Sequence, residues 1–125
     1  MNSISKIMIK QLKSKLLTQS LVTQSLMDLL IEKVEKWAWN RGLLSGDVKP
    51  EMQMLKLVEE VGETAKALAY EDKWGLKDGI GDCLVCLIVL ARQKGLTLEE
   101  CLAAAYEEIK DRTGTLENGL FKKDE

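Results

Sequence analysis

The stretch Asp78-Gly79-Ile80-Gly81-Asp82-Cys83-Leu84-Val85-Cys86-Leu87-Ile88-Val89-Leu90-Ala91-Arg92-Gln93 decides the fold. It is apolar nearly all the way round, which predicts a helix enclosed by others at the centre of a bundle. Its greasiest part, Ile80 to Ala91, is interrupted by Asp82 and falls well short of the ~20 apolar residues that span a bilayer, so it reads as a buried helix and not an anchor. Asp82 is the anomaly, because an unpaired buried carboxylate is costly and something must satisfy it.

On both sides of this stretch apolar residues recur at three- and four-residue spacings, and Pro50 is the only proline, so the chain reads as helices throughout. Downstream, Gly95 ends the central helix, and Thr97 with Glu100 matches a capping box that opens a helix with the stripe Leu98, Cys101, Leu102, Ala105 and Ile109. That helix is predicted to end near Arg112 and Gly114. Beyond it Asn118-Gly119, a tight-turn pair flanked by Leu116, Leu120 and Phe121, predicts a short turn or hairpin and then a charged tail.

Upstream, Pro50 suits the first turn of a helix running to about Tyr70, whose expected core face is Met54, Leu55, Val58, Val61, Ala65, Leu68 and Ala69. From about Gln24 to Arg41, Leu26, Leu29, Leu30, Val34 and Trp37 define one face of a further helix, with Gly42 as its stop. Residues 3 to 18 place Ile4, Met8, Leu12 and Leu16 four apart, as in an amphipathic helix with lysines on its other faces. The expectation is an all-α bundle of four or five helices without significant sheet, residues 1–22 forming an N-terminal helical extension or arm and residues 23–125 the domain.

A chain of 125 residues supports one domain, and 46% apolar with 30% charged residues is a globular balance. Net charge is −2 with Lys and Arg scattered, so there is no basic stripe for nucleic acid. The N-terminal lysines are not followed by an apolar run and a cleavage site, so a cytosolic protein with no membrane partner is expected. Histidine is absent, which removes the commonest general base and transition-metal ligand together. Three cysteines, an odd number in an unsecreted chain, read as reduced thiols. Cys83 and Cys86 lie within the apolar helix and read as packing, not as a zinc or redox pair. Gly75, Gly79 and Gly81 follow no predicted strand and lead to no Gly-Lys-Ser/Thr, so a P-loop or dinucleotide fold is unsupported.

The chemistry must then rest on acids. Glu59, Glu60 and Glu63, with Lys56, fall within one helical sector about 100° wide, and such carboxylates can converge on a hard cation. The same sector lies almost opposite the apolar face of its helix, where a solvated stripe with Lys56 and Lys66 pairing at helical spacing would also lie. Asp78 and Asp82 admit two readings as well. Asp78 caps the next helix with Asp82 in its first turn, or Asp82 turns toward Glu60 and Glu63 and shares a metal between packed helices.

Leu57-Val58-Glu59-Glu60-Val61-Gly62-Glu63, then Lys77-Asp78-Gly79-Ile80-Gly81-Asp82-Cys83-Leu84-Val85, then Glu107-Glu108-Ile109-Lys110-Asp111-Arg112-Thr113-Gly114 resembles the MazG-like branch of the all-α nucleotide pyrophosphohydrolases. The similarity covers about Trp37 to Phe121. It implies Mg²⁺-dependent hydrolysis, with Mn²⁺ as a substitute ion, of a nucleoside triphosphate to the monophosphate and pyrophosphate, by a homodimer or homotetramer that cleanses nucleotide pools. By position, Glu60, Glu63 and Asp82 are implied as metal ligands and Glu59 as a ligand or water-orienting base. The family's usual second pair is Glu-x-x-Asp, whereas Gly79 stands three before Asp82 here. The nearest acid is Asp78, four before it and still on the same helical face.

A triphosphate repels an attacking hydroxide, and a divalent ion both neutralises phosphate oxygens and acidifies water. Carboxylates alone would repel the substrate, so Lys56, Lys110 and Arg112 are candidates for holding the distal phosphates, and Asn118 for a phosphate or base contact. Trp37 falls on its helix's apolar stripe and reads as core. Trp39 does not share that face and is the candidate to contact the base or a partner subunit. Two rivals accompany this expectation: a catalytically silent helical binding or regulatory protein on the same scaffold, and a pyrimidine-selective dNTP pyrophosphatase.

Overall fold

A computed structural model describes residues 3–125, with the side chains of residues 20–25 left aside. The chain folds as four helices, α1 (Ser3–Asn40), α2 (Pro50–Ala69), α3 (Lys73–Gln93) and α4 (Leu98–Ile109), followed by strands β1 (Gly114–Glu117) and β2 (Leu120–Lys123). The all-α expectation holds, and the sheet is one antiparallel hairpin pairing Gly114 with Lys123 through Glu117 with Leu120. Asn118 and Gly119 turn the hairpin at φ 51 and 78, the left-handed geometry that favours this dipeptide. No helix among the described residues is long and apolar enough to cross a membrane.

Pro50 occupies the first turn of α2, and the capping box of α4 forms as its sequence predicts, with Thr97 N–H donating to Glu100 and Glu100 N–H to the Thr97 hydroxyl. Two elements differ from expectation. The N-terminal helix and the helix ending near Arg41 are one unbroken α1, so the backbone carries no break at the expected boundary after residue 22; Met1 and Asn2, and the side chains at 20–22, lie outside the described residues. Helix α3 starts five residues earlier than the sequence reading, because Asp72 caps it by accepting from Gly75 N–H at 3.0 Å. Asp78 is therefore not the cap, and Asp82 lies beyond the first turn.

The architecture centres on the α2–α3 pair, with α1 crossing α3 and α4 touching only α3. Ile31 and Ala38 of α1 bury against α3, Arg92 pairs with Glu35, and the Gln93 side chain donates to Leu43 O at 2.9 Å. The face that α2 turns to α3 is a correction to the sequence reading. Gln53, Leu57, Glu60, Thr64 and Ala67 are its buried or half-buried residues, whereas Met54, Leu55, Val58, Val61 and Leu68, the expected core face, stay exposed. Periodicity identifies an apolar stripe but not what covers it, and here the polar side of α2 packs inside the chain.

Close approach of α2 and α3 depends on Gly79. It is buried, and a Cβ there would sit 3.0 Å from Thr64 Cβ and closer still to the Thr64 hydroxyl. That hydroxyl donates to Glu60 O at 2.7 Å and lies 3.7 Å from Cys83 Sγ.

Candidate active site at the α2–α3 seam

Among the described residues Glu60 is the one charged side chain that is buried, 7% exposed. One of its oxygens accepts from Lys56 Nζ at 3.2 Å, while Oε2 is buried with no hydrogen-bond partner. Lys56 also reaches Glu59 at 3.4 Å, and these two carboxylates, Glu60 foremost, hold its ammonium above the usual lysine value. An orphaned buried carboxylate oxygen costs free energy unless a cation or donor meets it.

Across the seam, Asp82 stands beside Glu60 and beside Asp78, one turn back on its own helix. Burial, then the charges of Asp78 and Glu60, push the Asp82 carboxyl above its ordinary value of 3.8. Burial and the nearby Glu60 likewise raise the Cys86 thiol, which favours the neutral, unreactive form and fits its packing role. The first-turn explanation does not apply to Asp82, since α3 starts at Lys73 with Asp72 as its cap.

Two cavities flank Asp82. One of about 290 Å³ is lined by Glu63, Lys66, Tyr70, Asp72, Asp78 and Asp82 with small residues between them. The other, about 350 Å³, is lined by Trp37, Leu43, Gln53, Lys56, Glu60, Asp82, Val85 and Cys86. Four of the expected acids thus line the two cavities, Glu60 one of them, Glu63 and Asp78 the other, and Asp82 both. Among the described residues no three acidic or thiol side chains stand close enough together, as they are, to hold a metal ion. Like charges drawn together repel, and Lys56 offsets the charge of Glu60. The orphaned Glu60 Oε2 beside Asp82, in an all-oxygen donor set, fits a hard divalent cation.

The remaining candidates are elsewhere. Glu59 lies at the rim on Lys56, its side chain 59% exposed. Lys110 pairs with Glu107 at 2.7 Å on α4, Arg112 follows that helix, and Asn118 forms the hairpin turn; none of them lines either cavity flanking Asp82. Trp39 is 68% exposed and also lines neither. Trp37, expected as core, instead walls the Glu60 cavity, with the Arg41 guanidinium 4.5 Å from its ring centroid.

Lys66, Tyr70 and Gln53 were not singled out as site residues. Lys66 is three residues after Glu63, a spacing the sequence reading spent on a surface pair, and Gln53 needed the rotation of α2 to be seen. Gly79 explains the departure from the Glu-x-x-Asp pattern, since a side chain at 79 would strike Thr64 whereas Asp78 reaches the cavity holding Glu63 and Asp82.

The model of the MazG nucleotide pyrophosphohydrolase domain matches residues 48–116, a span that holds α2, α3, α4 and every seam acid. An uncharacterized 18.2 kDa protein in the rep-hol intergenic region of Haemophilus phage HP1 (strain HP1c1) is 42% identical over 64 residues, which is 51% of this chain and 39% of that relative. The chain therefore matches well under half the length of that protein. No solved structure matches the chain. The matched span covers more than half of the sequence and contains the acids that the fold assembles, so the chain belongs to the MazG nucleotide pyrophosphohydrolase family.

Proposed function

We propose that the protein is a Mg²⁺-dependent, cytosolic nucleoside triphosphate pyrophosphohydrolase, converting an NTP or dNTP and water to the monophosphate and pyrophosphate. The observation that supports this most is the buried Glu60 carboxylate, one oxygen unpartnered, beside Asp82. Family membership supports the reaction class.

Glu60, Glu63, Asp78 and Asp82 would hold the ion, Mg²⁺ or Mn²⁺ in its place. When bound, it supplies charge neutralisation of phosphate oxygens and acidification of water. Lys56 now neutralises Glu60; once that charge is met by a cation, its ammonium is free to turn to a phosphate. Lys66 offers a second positive charge from the cavity on the other side of Asp82. Glu59, at the rim, orients the attacking water or accepts its proton.

The Trp37 cavity suits the base, its indole as a stacking surface and Gln53 as an amide that both donates and accepts. The exposed apolar face of α2 supports a working form in which a second copy covers it, a homodimer or homotetramer. Lys110, Arg112 and Asn118 serve the phosphates when an assembled neighbour brings them over the seam, and Trp39 contacts that neighbour. Cleansing of nucleotide pools is the role this chemistry serves.

Pyrophosphate release from a panel of NTPs and dNTPs, with Mg²⁺ and with chelator, tests the proposal. Release confined to pyrimidine dNTPs would place the protein in the narrower class. No release from any of them, with nucleotide still bound, would make it a silent binding scaffold.

A further inference from the structure

The cavity that holds Glu60 is not built by α2 and α3 alone. Gln53, Lys56, Val85 and Cys86 come from those helices, but Trp37 belongs to the last turn of α1 and Leu43 to the loop after it. Both precede residues 48–116, the span shared with the family. The wall they form is therefore this chain's own addition to the seam.

Leu43 is fixed from two directions. Its N–H donates to Ala38 O at 3.0 Å while Gly42 N–H donates to Trp39 O at 3.1 Å, with Gly42 at φ 76. This is the Schellman ending of a helix, and Ala38, on which it closes, is fully buried. The Leu43 carbonyl in turn accepts from the side-chain amide of Gln93, the last residue of α3, at 2.9 Å. Beyond Leu43, Ser45 N–H donates to Gly42 O and Val48 N–H to Ser45 O, both at 3.3 Å and both inside the loop. The neighbouring Arg92 pairs with Glu35, which holds α1 and not the loop.

A carbonyl only accepts, so the Gln93 nitrogen must face Leu43, and its oxygen is left buried without a partner. Such an orphan costs free energy. A methionine of like length would fill the same space without that cost, but it could not hold the loop.

We propose that Gln93 is a positioning residue for base selection: by holding Leu43 to the end of α3, it fixes the loop wall of the Trp37 cavity and so sets how closely a base is gripped. The inference rests on the reading of that cavity as the base site. An apolar wall discriminates by shape, and a wall free to move discriminates poorly. Gln93 lines neither cavity flanking Asp82, so it acts through Leu43 and leaves the hydrolytic step alone.

The test measures pyrophosphate release and equilibrium binding by the full chain for a panel of NTPs and dNTPs, with inorganic tripolyphosphate as a probe that lacks a base. Gln93→Met should raise KM and Kd for the best nucleotide about fivefold, the worth of one hydrogen bond. It should narrow the preference between purine and pyrimidine, and leave kcat and tripolyphosphate binding unchanged. Gln93→Lys, which donates with similar reach, should recover KM. Leu43→Ala should raise KM by itself, and Gln93→Met added to it should do nothing more. Additive effects, a loss shared by tripolyphosphate, or a fall in kcat alone would overturn the proposal. Trp37→Ala separates the two levels. A KM that answers to Trp37→Ala but not to Gln93→Met overturns this inference only, and one that answers to neither overturns the base site as well. If the wild type binds nucleotide without hydrolysing it, the pyrophosphohydrolase reading fails and the Kd values still decide the role of Gln93; wild type that binds no nucleotide overturns both.

Discussion

Glu60 and Asp82 stand beside each other across the α2–α3 seam as two carboxylates, and Lys56 pairs with the first of them. Lys56 satisfies one Glu60 oxygen, the other is orphaned, and Asp82 is held partly against ionisation by burial and by its acidic neighbours. Carboxylates set this close together cost stability. Replacing Asp82 by Asn should therefore raise the Tm of the metal-free protein by a few degrees at most. The same change should remove the Mg²⁺-dependent rise in Tm and lower pyrophosphate release about 100-fold or more. Glu60→Gln should likewise abolish the Mg²⁺ response; thermal melts with and without the ion read both.

The raised Asp82 carboxyl gives a pH signature. Its folded value lies above its unfolded one, so between the two the native state holds more protons and stability falls as pH rises through that window. Ordinary carboxylates contribute the opposite slope, so the signature is the difference between wild type and Asp82→Asn in urea midpoints across the acidic range. Mg²⁺ favours the ionised form. Its affinity should weaken as pH falls through the raised value, with proton uptake on release measurable by titration in two buffers.

Gly79 and Thr64 form a fitted pair. Gly79→Ala should destabilise the protein by about 1–3 kcal/mol, because the added Cβ meets a backbone that cannot retreat without separating the acids. Thr64→Ala in the same chain should recover part of that loss, and denaturant melts of the four proteins in a double-mutant cycle measure the coupling. Additive effects would mean that the two residues do not touch.

The two neighbouring tryptophans should separate. Trp37→Ala should raise KM about tenfold, the worth of base–aromatic stacking, and leave the sedimentation of the protein unchanged. Trp39→Ala should leave KM alone and shift the oligomer toward smaller species. Reversal of these outcomes would exchange their roles.

Much of this was legible in the residues. Pro50, the Thr97–Glu100 box and Asn118-Gly119 each fix a backbone boundary through local sterics or a local hydrogen bond, and each is found where the sequence places it. Asp82 marked itself by being an acid in a greasy helix. What local rules could not give was the side of α2 that meets α3, since Met54 and Val58 announce an apolar face without saying which surface covers it. The start of α3 was obscured for a related reason. Gly75 and Gly79 depress helix propensity, and only the packed seam shows that Gly79 stands there for close approach. Lys110 and Arg112 carry suitable charge, but one chain alone brings neither to the seam acids.

If a second copy covers α2 as proposed, a helix with its ionic side turned inward and its oily side outward makes folding answer to mass action. Seven apolar residues are fully buried among the described residues, a small interior for a chain of this length. On that reading, newly made copies would be at risk from proteases and from clumping until they meet one another. On the proposed assembly, abundance in the cell would set the fraction that survives, and a threshold of synthesis would follow from the rotation of a single helix.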